Sequence, residues 1–240
     1  MTELALHLYQ QIREHLLEEI DAGRLNVGDR VPSERELADR FKISRMTVRH
    51  ALTELVNEGT LYRHQGKGTF VAKPKIRQGL AGLTSFTEDM LARGLKPGAR
   101  LLSVEVASAS YKVRHALGLD EAAMVVRLER LRLADGEPMA LEQVHLPYPR
   151  FAPILEADVE NTSLYKLFVE VLGVQMASAI QTIEPTAADA ALARALEVRE
   201  GALLLMTERT TYDERGEPFE HATSYYRGDR YRFVAHLQRR

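Results

Sequence analysis

The chain contains no cysteine. That absence excludes a disulfide framework and thiolate chemistry, and it fits a reducing, cytoplasmic compartment. No uninterrupted apolar run is long enough to cross a bilayer, so no membrane partner is expected. The opening segment, MTELALHLYQQIREHL, is polar and amphipathic rather than a secretory signal. The signatures G-x-S-x-G, H-E-x-x-H and the P-loop are missing. The eight histidines show no metal-ligand spacing. Glu142 and Glu220 could form an acid–base pair, but nothing places a nucleophile beside them. The sequence therefore offers no catalytic residue, no metal ligand and no cofactor site, and an enzyme is not expected.

What is present suits two compact domains: 240 residues, 45% of them apolar. The net charge of −2 points to no partner by itself. Its distribution says more. From Arg35 to Arg77, ten lysines and arginines face four acids. A basic footprint in a mildly acidic chain fits phosphate-backbone binding as well as it fits an ordinary solvated face.

Along the chain, Leu4, Leu8, Ile12, Leu16 and Ile20 repeat every fourth residue and predict a helix that Gly23 stops. Ser33 with Glu36 three residues later predicts a capping box, opening the short helix ERELADRF. Lys42-Ile43 is a tight turn. Ser44 caps a longer helix, RMTVRHALTELVNEG, ending at Gly59. Two short strands, TLYRH and GTFVA, flank the turn Gln65-Gly66-Lys67-Gly68. Helix, helix, turn, helix, hairpin is a winged helix-turn-helix, placed at 1–72. Residues 73–80 read as a solvated linker punctuated by Pro74 and Gly79.

From residue 81 to 240 the texture changes to long strands of period two with helices between them, an α+β domain on a largely antiparallel sheet. LRLADGEPMALEQ and RTTYDERGEPFEHA suggest a duplicated hairpin.

A helix-turn-helix reads bases with the N-terminal end of its second helix. That end carries Arg45, Met46, Thr47 and Arg49. Arginine can pair with guanine O6 and N7, and threonine can touch a base edge. Ser44 opens a helix whose free amides suit a phosphate. Arg35 can clamp backbone or reach a base, and the wing tip Gly66-Lys67 is slim enough for a minor groove.

In the second domain, Arg130 and Arg132 share one face of a strand, where paired guanidinium groups attract an anion. The alternative is an exposed sheet face pairing with Glu129 or Glu142. Ser163 and Tyr165 at one helix start, and Phe86 and Thr87 at another, supply further donors. Glu142 and Glu220 suit sugar hydroxyls or an amine, or else salt bridges or a dimer contact. Tyr226 suits a sugar ring or core packing.

The stretch PSERELADRFKISRMTVRHALTELVNEGTLYRHQGKGTFV resembles the winged-helix signature of the GntR family of bacterial regulators. The resemblance implies a homodimer, a repressor on double-stranded palindromic operator DNA, with Arg35, Arg45, Thr47, Arg49 and Gly66 at the DNA. The strand-rich remainder resembles the HutC subfamily, which implies a UTRA sensor domain with a chorismate-lyase-like fold. LAGLTSFTEDMLARGLKPG is similar to the opening of sensor domains in N-acetylglucosamine-utilisation repressors. That implies a sugar-phosphate effector, glucosamine-6-phosphate or N-acetylglucosamine-6-phosphate. By motif, Phe86, Thr87, Arg130, Arg132, Ser163 and Tyr165 would hold its phosphate, and Glu142, Glu220 and Tyr226 its sugar.

Overall fold

The computed structural model describes residues 3–64, 66–80 and 82–238, the first five by backbone alone. Gln65 of the expected wing turn and Ala81, the expected first residue of the second domain, lie outside the described residues. The chain separates into two compact units, 1–75 and 76–240.

The first unit contains α1 (Glu3–Asp21), α2 (Glu34–Phe41), α3 (Arg45–Asn57), β1 (Leu61–His64) and β2 (Gly68–Val71). Ser33 and Glu36 form the capping box: Glu36 N donates to the Ser33 hydroxyl at 3.3 Å and Ser33 N to the Glu36 carboxylate at 2.7 Å. Lys42 ends α2 in a left-handed conformation, φ 56°, which turns the chain into α3 within three residues. The inward stripes of the three helices meet in one core of Ile12, Leu16, Leu37, Val48, Leu52 and Leu55. Leu61 and Val71 seal it from the wing. Each such side chain contributes about 1.5–3 kcal/mol by leaving water.

The second unit opens with β3 (Ile76–Gly79), α4 (Phe86–Leu91), β4 (Pro97–Ser108), α5 (Tyr111–Leu117), β5 (Met124–Ala134) and β6 (Glu137–Pro147). A 3-10 turn (Ala152–Leu155) and α6 (Leu164–Glu170) follow, then β7 (Met176–Ala187), α7 (Ala190–Leu196), β8 (Leu203–Asp213), β9 (Pro218–Arg227) and β10 (Tyr231–Val234). Six strands form one antiparallel sheet in the order β4-β5-β6-β9-β8-β7. That order is two matching halves joined at β6 and β9. Each half has a twelve-residue edge strand, a seven-residue helix and a hairpin closed at a G-E-P turn.

Period two divides the sheet's faces. Val126, Leu128, Val144 and Leu146 pack with Phe151, Phe168 and Phe219 under α6. Leu131, Leu141 and Leu204 pack on the other face against Ala193 and Leu196 of α7. Both faces are covered, which is why β5 and β6 are so apolar.

The linker expected over 73–80 is shorter than that. Ile76–Gly79 pair in parallel with β10, and Ile76 is buried against Met90, Met139 and Tyr231. Four residues are too few for an alternation to stand out beside Pro74 and Gly79.

Candidate DNA-reading face and ligand cleft

On α3 the N-cap is complete. Thr47 N donates to the Ser44 hydroxyl at 3.2 Å, and the two hydroxyls lie 3.0 Å apart. Arg45, Met46 and Arg49 are exposed beyond it, Met46 by 67%. Arg35 projects from α2 with its side chain 82% in solvent and only a 3.9 Å approach to Asp39. Lys67 N donates to His64 O and closes the wing turn, with exposed Gly66 left-handed at φ 75°. Gly68 is needed for its backbone conformation, and a side chain there would also push Arg30 aside. Its φ is 123°, and a Cβ there would meet Arg30 Nε at 2.8 Å. Arg30, Arg35, Arg45 and Arg63 line one groove with Gly66 and Gly68. Sequence reasoning missed Arg30, Arg63 and Glu34. Arg49 is not loose: its Nε and Nη2 donate to the Glu34 carboxylate at 2.8–3.1 Å.

In the second unit, Arg130 and Arg132 share a face of β5, and strand register extends that face across the sheet. Arg130 lies opposite Glu142, Glu142 opposite Ser224, and Ser224 opposite Thr207. One row away Arg132 lies opposite Ala140, and Ala140 opposite Tyr226. One row the other way Ala222 lies opposite Arg209, and Arg209 opposite Gln181. These rows floor a narrow cleft. Ser85, Phe86 and Asp89 of α4, Ser163 and Tyr165 of α6, Gln78 of β3 and Phe233 of β10 complete its walls.

The two expected arginines differ. Arg130 is buried, with Nε and Nη2 donating to Glu142 Oε2 at 3.0 and 2.5 Å and Nη1 to Val159 O at 2.8 Å. It and Glu142 hold each other across the strands, and both still line the cleft. The face is buried, not the exposed alternative, although the Glu142 pairing of that alternative is present. Burial raises the Glu142 carboxyl, yet Arg130 and Arg132 outweigh it and keep the group below the usual carboxylate range.

Arg132 is the cation with donors to spare. Its Nη2 donates to the Thr87 hydroxyl at 3.1 Å, its guanidinium lies 4.7 Å from the Phe86 ring centre, and its buried Nε has no partner among the described residues. Burial lowers its pKa to about 10. A desolvated, incompletely paired cation is costly, and an anion would relieve that cost.

Eight of the nine expected ligand residues line the cleft. Thr87 does not line it; its hydroxyl accepts from Arg132 Nη2. Ser163 begins α6 without a capping bond, unlike Ser33, Ser44, Ser85 and Ser110, so its hydroxyl is left for the cleft. Glu220 is 4% exposed, accepts from the Thr211 hydroxyl at 2.6 Å, and is pushed by burial up to about 7. Tyr226 is partly buried against Tyr231 and Phe233 while still reaching the cleft.

Arg209 was missed. It donates from Nη1 to the Tyr165 hydroxyl and from Nε to Gln181, both at 2.7 Å. A signal existed: Leu128-Glu129-Arg130 and Thr207-Glu208-Arg209 occupy matching places in the duplicated hairpins.

Comparison with known proteins agrees with this division. Residues 8–71 match the model of bacterial regulatory proteins of the gntR family, and residues 92–232 match the UTRA domain. The HTH-type transcriptional repressor NagR of Bacillus subtilis is 44% identical over 232 residues, covering 97% of this chain and 95% of that protein. The HTH-type transcriptional repressor PhnF of Mycolicibacterium smegmatis is 36% identical, covering 95% and 91%. The crystal structure of PhnF from Mycobacterium smegmatis superposes with a TM-score of 0.69 at 35% identity, covering 95% of this chain and 99% of that one. The chain belongs to the gntR family of bacterial regulatory proteins, and it is a DNA-binding transcriptional regulator of the HutC subfamily with a UTRA effector domain.

Proposed function

We propose that this regulator is a homodimeric repressor released from its operator by a phosphorylated amino sugar, glucosamine-6-phosphate or N-acetylglucosamine-6-phosphate. The observation that carries the reading is Arg132: a buried guanidinium in a polar cleft, its Nε without a partner among the described residues. Phosphate oxygens match its donors. Ser85, Ser163 and Arg209 add polar groups around the same space, and Glu220 offers an acceptor for sugar hydroxyls or an amine. The likeness of residues 80–98 to N-acetylglucosamine-utilisation repressors supports the sugar class.

In this reading Arg35, Ser44, Arg45, Thr47, Arg49, Gly66 and Lys67 of two protomers meet two half-sites related by two-fold symmetry. The effector must bind the released state better than the operator-bound one, by the factor through which it weakens DNA binding.

The test is calorimetric titration of the full-length protein with both sugar phosphates, free glucosamine and inorganic phosphate. The sugar phosphates bind, and Arg132→Ala weakens them about 100-fold, roughly 2.7 kcal/mol. Equal affinity for glucosamine and its phosphate would overturn the reading, as would an Arg132→Ala protein of unchanged affinity.

A further inference from the structure

We propose that Glu34 is a positioning residue for DNA discrimination: its carboxylate fixes the guanidinium of Arg49 and opposes indiscriminate attraction to phosphate. Glu34 is the first residue of α2, directly after the N-cap Ser33, where a helix start favours a carboxylate. It stands where three elements of the reading head meet. From α3, Arg49 gives it Nε at 3.0 Å from Oε1 and Nη2 at 2.8 Å from Oε2. From β1, Arg63 Nη2 lies 3.9 Å from its Oε1. The same nitrogen of Arg63 donates to the Thr53 hydroxyl at 3.1 Å, and that hydroxyl donates to the Arg49 carbonyl at 2.7 Å.

Two consequences follow from this geometry. The side-on grip uses the Nε–Nη2 edge of Arg49 and leaves its Nη1–Nη2 fork, which matches guanine O6 and N7 or a phosphate. An arginine held this way has less rotamer freedom to lose on docking, so correct contacts gain. Meanwhile one negative charge amid Arg45, Arg49 and Arg63 lowers the affinity for any duplex, because non-specific binding is almost wholly electrostatic. Both effects widen the gap between the operator and bulk DNA, the second by repelling the wrong partner.

The test uses full-length protein and two duplexes of equal length. One is selected by the wild-type protein from a random-sequence pool, and the other is a scramble of it. Fluorescence anisotropy is measured across a salt series. Glu34→Gln binds the scrambled duplex two- to tenfold more tightly, with a salt slope steeper by up to about 0.9. Its preference for the selected duplex falls at least tenfold. Glu34→Asp lies between it and the wild type. In an Arg49→Ala background the Glu34→Gln effect on preference shrinks below twofold.

Unchanged preference in Glu34→Gln overturns the proposal. So does a loss that persists without Arg49, which would mean that Glu34 touches a base itself. If Glu34→Gln does not fold, Arg49→Lys decides. It keeps the charge and loses the side-on grip, so an unaltered preference there also overturns the proposal.

Discussion

The arginines of the DNA-reading face stand in water, and the pair on β5 lies inside the protein. Arg35 and Arg49 have side chains 82% and 51% exposed, whereas Arg130 and Arg132 have 2% and 5%. Exposed cations cost little to fold and act at a distance, in sum and under the control of salt. Buried cations are expensive to fold and act only at contact, where solvent scarcely screens them. In the proposed reading one chain uses the same side chain for a diffuse target and for a compact one: the DNA-reading face keeps its arginines outside, and the cleft keeps its pair inside.

Salt gives the largest separation. With six to ten phosphate contacts, DNA affinity falls about 10³–10⁵-fold between 50 and 200 mM salt. Effector affinity measured by calorimetry over the same range changes by less than about threefold. A parallel collapse of both would erase the contrast.

Next in size is the buried pair. Arg130→Ala strands the Glu142 carboxylate and destabilises the second unit by about 3–5 kcal/mol. Replacing both partners, Arg130→Met with Glu142→Leu, recovers most of that loss, because well-packed apolar groups substitute for a buried ion pair. Thermal melting of the three proteins checks the order. Substituting the exposed Arg35 by Ala leaves stability within about 0.5 kcal/mol.

Glu220 sharpens the contrast through pH. Its carboxyl goes from the ordinary 4.5 unfolded to about 7 folded. Between those values the folded state keeps a proton that the unfolded state has lost, so stability falls as pH rises through the window. Above 7 the full penalty, at most about 3 kcal/mol, is present. Glu220→Gln therefore melts above the wild type at pH 8 and level with it near pH 4.5. A gap that widens on acidification would reverse the assigned sign.

A smaller loss than at the buried pair or at Glu220 is expected at a cap. Ser33→Ala removes half of the box that opens α2 and costs about 1 kcal/mol. Because Glu34 follows directly, DNA affinity measured by anisotropy falls further than that loss alone explains if the cap also orients the reading head.

The legible parts of this molecule are those governed by local rules. Capping serines, stopping glycines and period-two strands gave α2, α3 and the sheet strands within a few residues. The strand residues that line the cleft were legible because alternation assigns faces, and a face in a sheet is shared across strands. The division of labour within the cleft was not legible. That Glu142 would neutralise Arg130 and leave Arg132 underpaired depends on cross-strand register and on the Val159 carbonyl, 29 residues away. β3 and β10 escaped notice because each is four residues long and its partner lies at the other end of the unit. Glu34 looked like a mere helix opener, since its link to Arg49 spans the turn between two helices.

Gln78 reaches the cleft from β3, and β3 begins where the second unit begins. Gln78 pairs in register with Phe233 of β10, which also lines the cleft. An occupant that drew Gln78 inward by several ångströms would have to carry β10 with it or part the two strands.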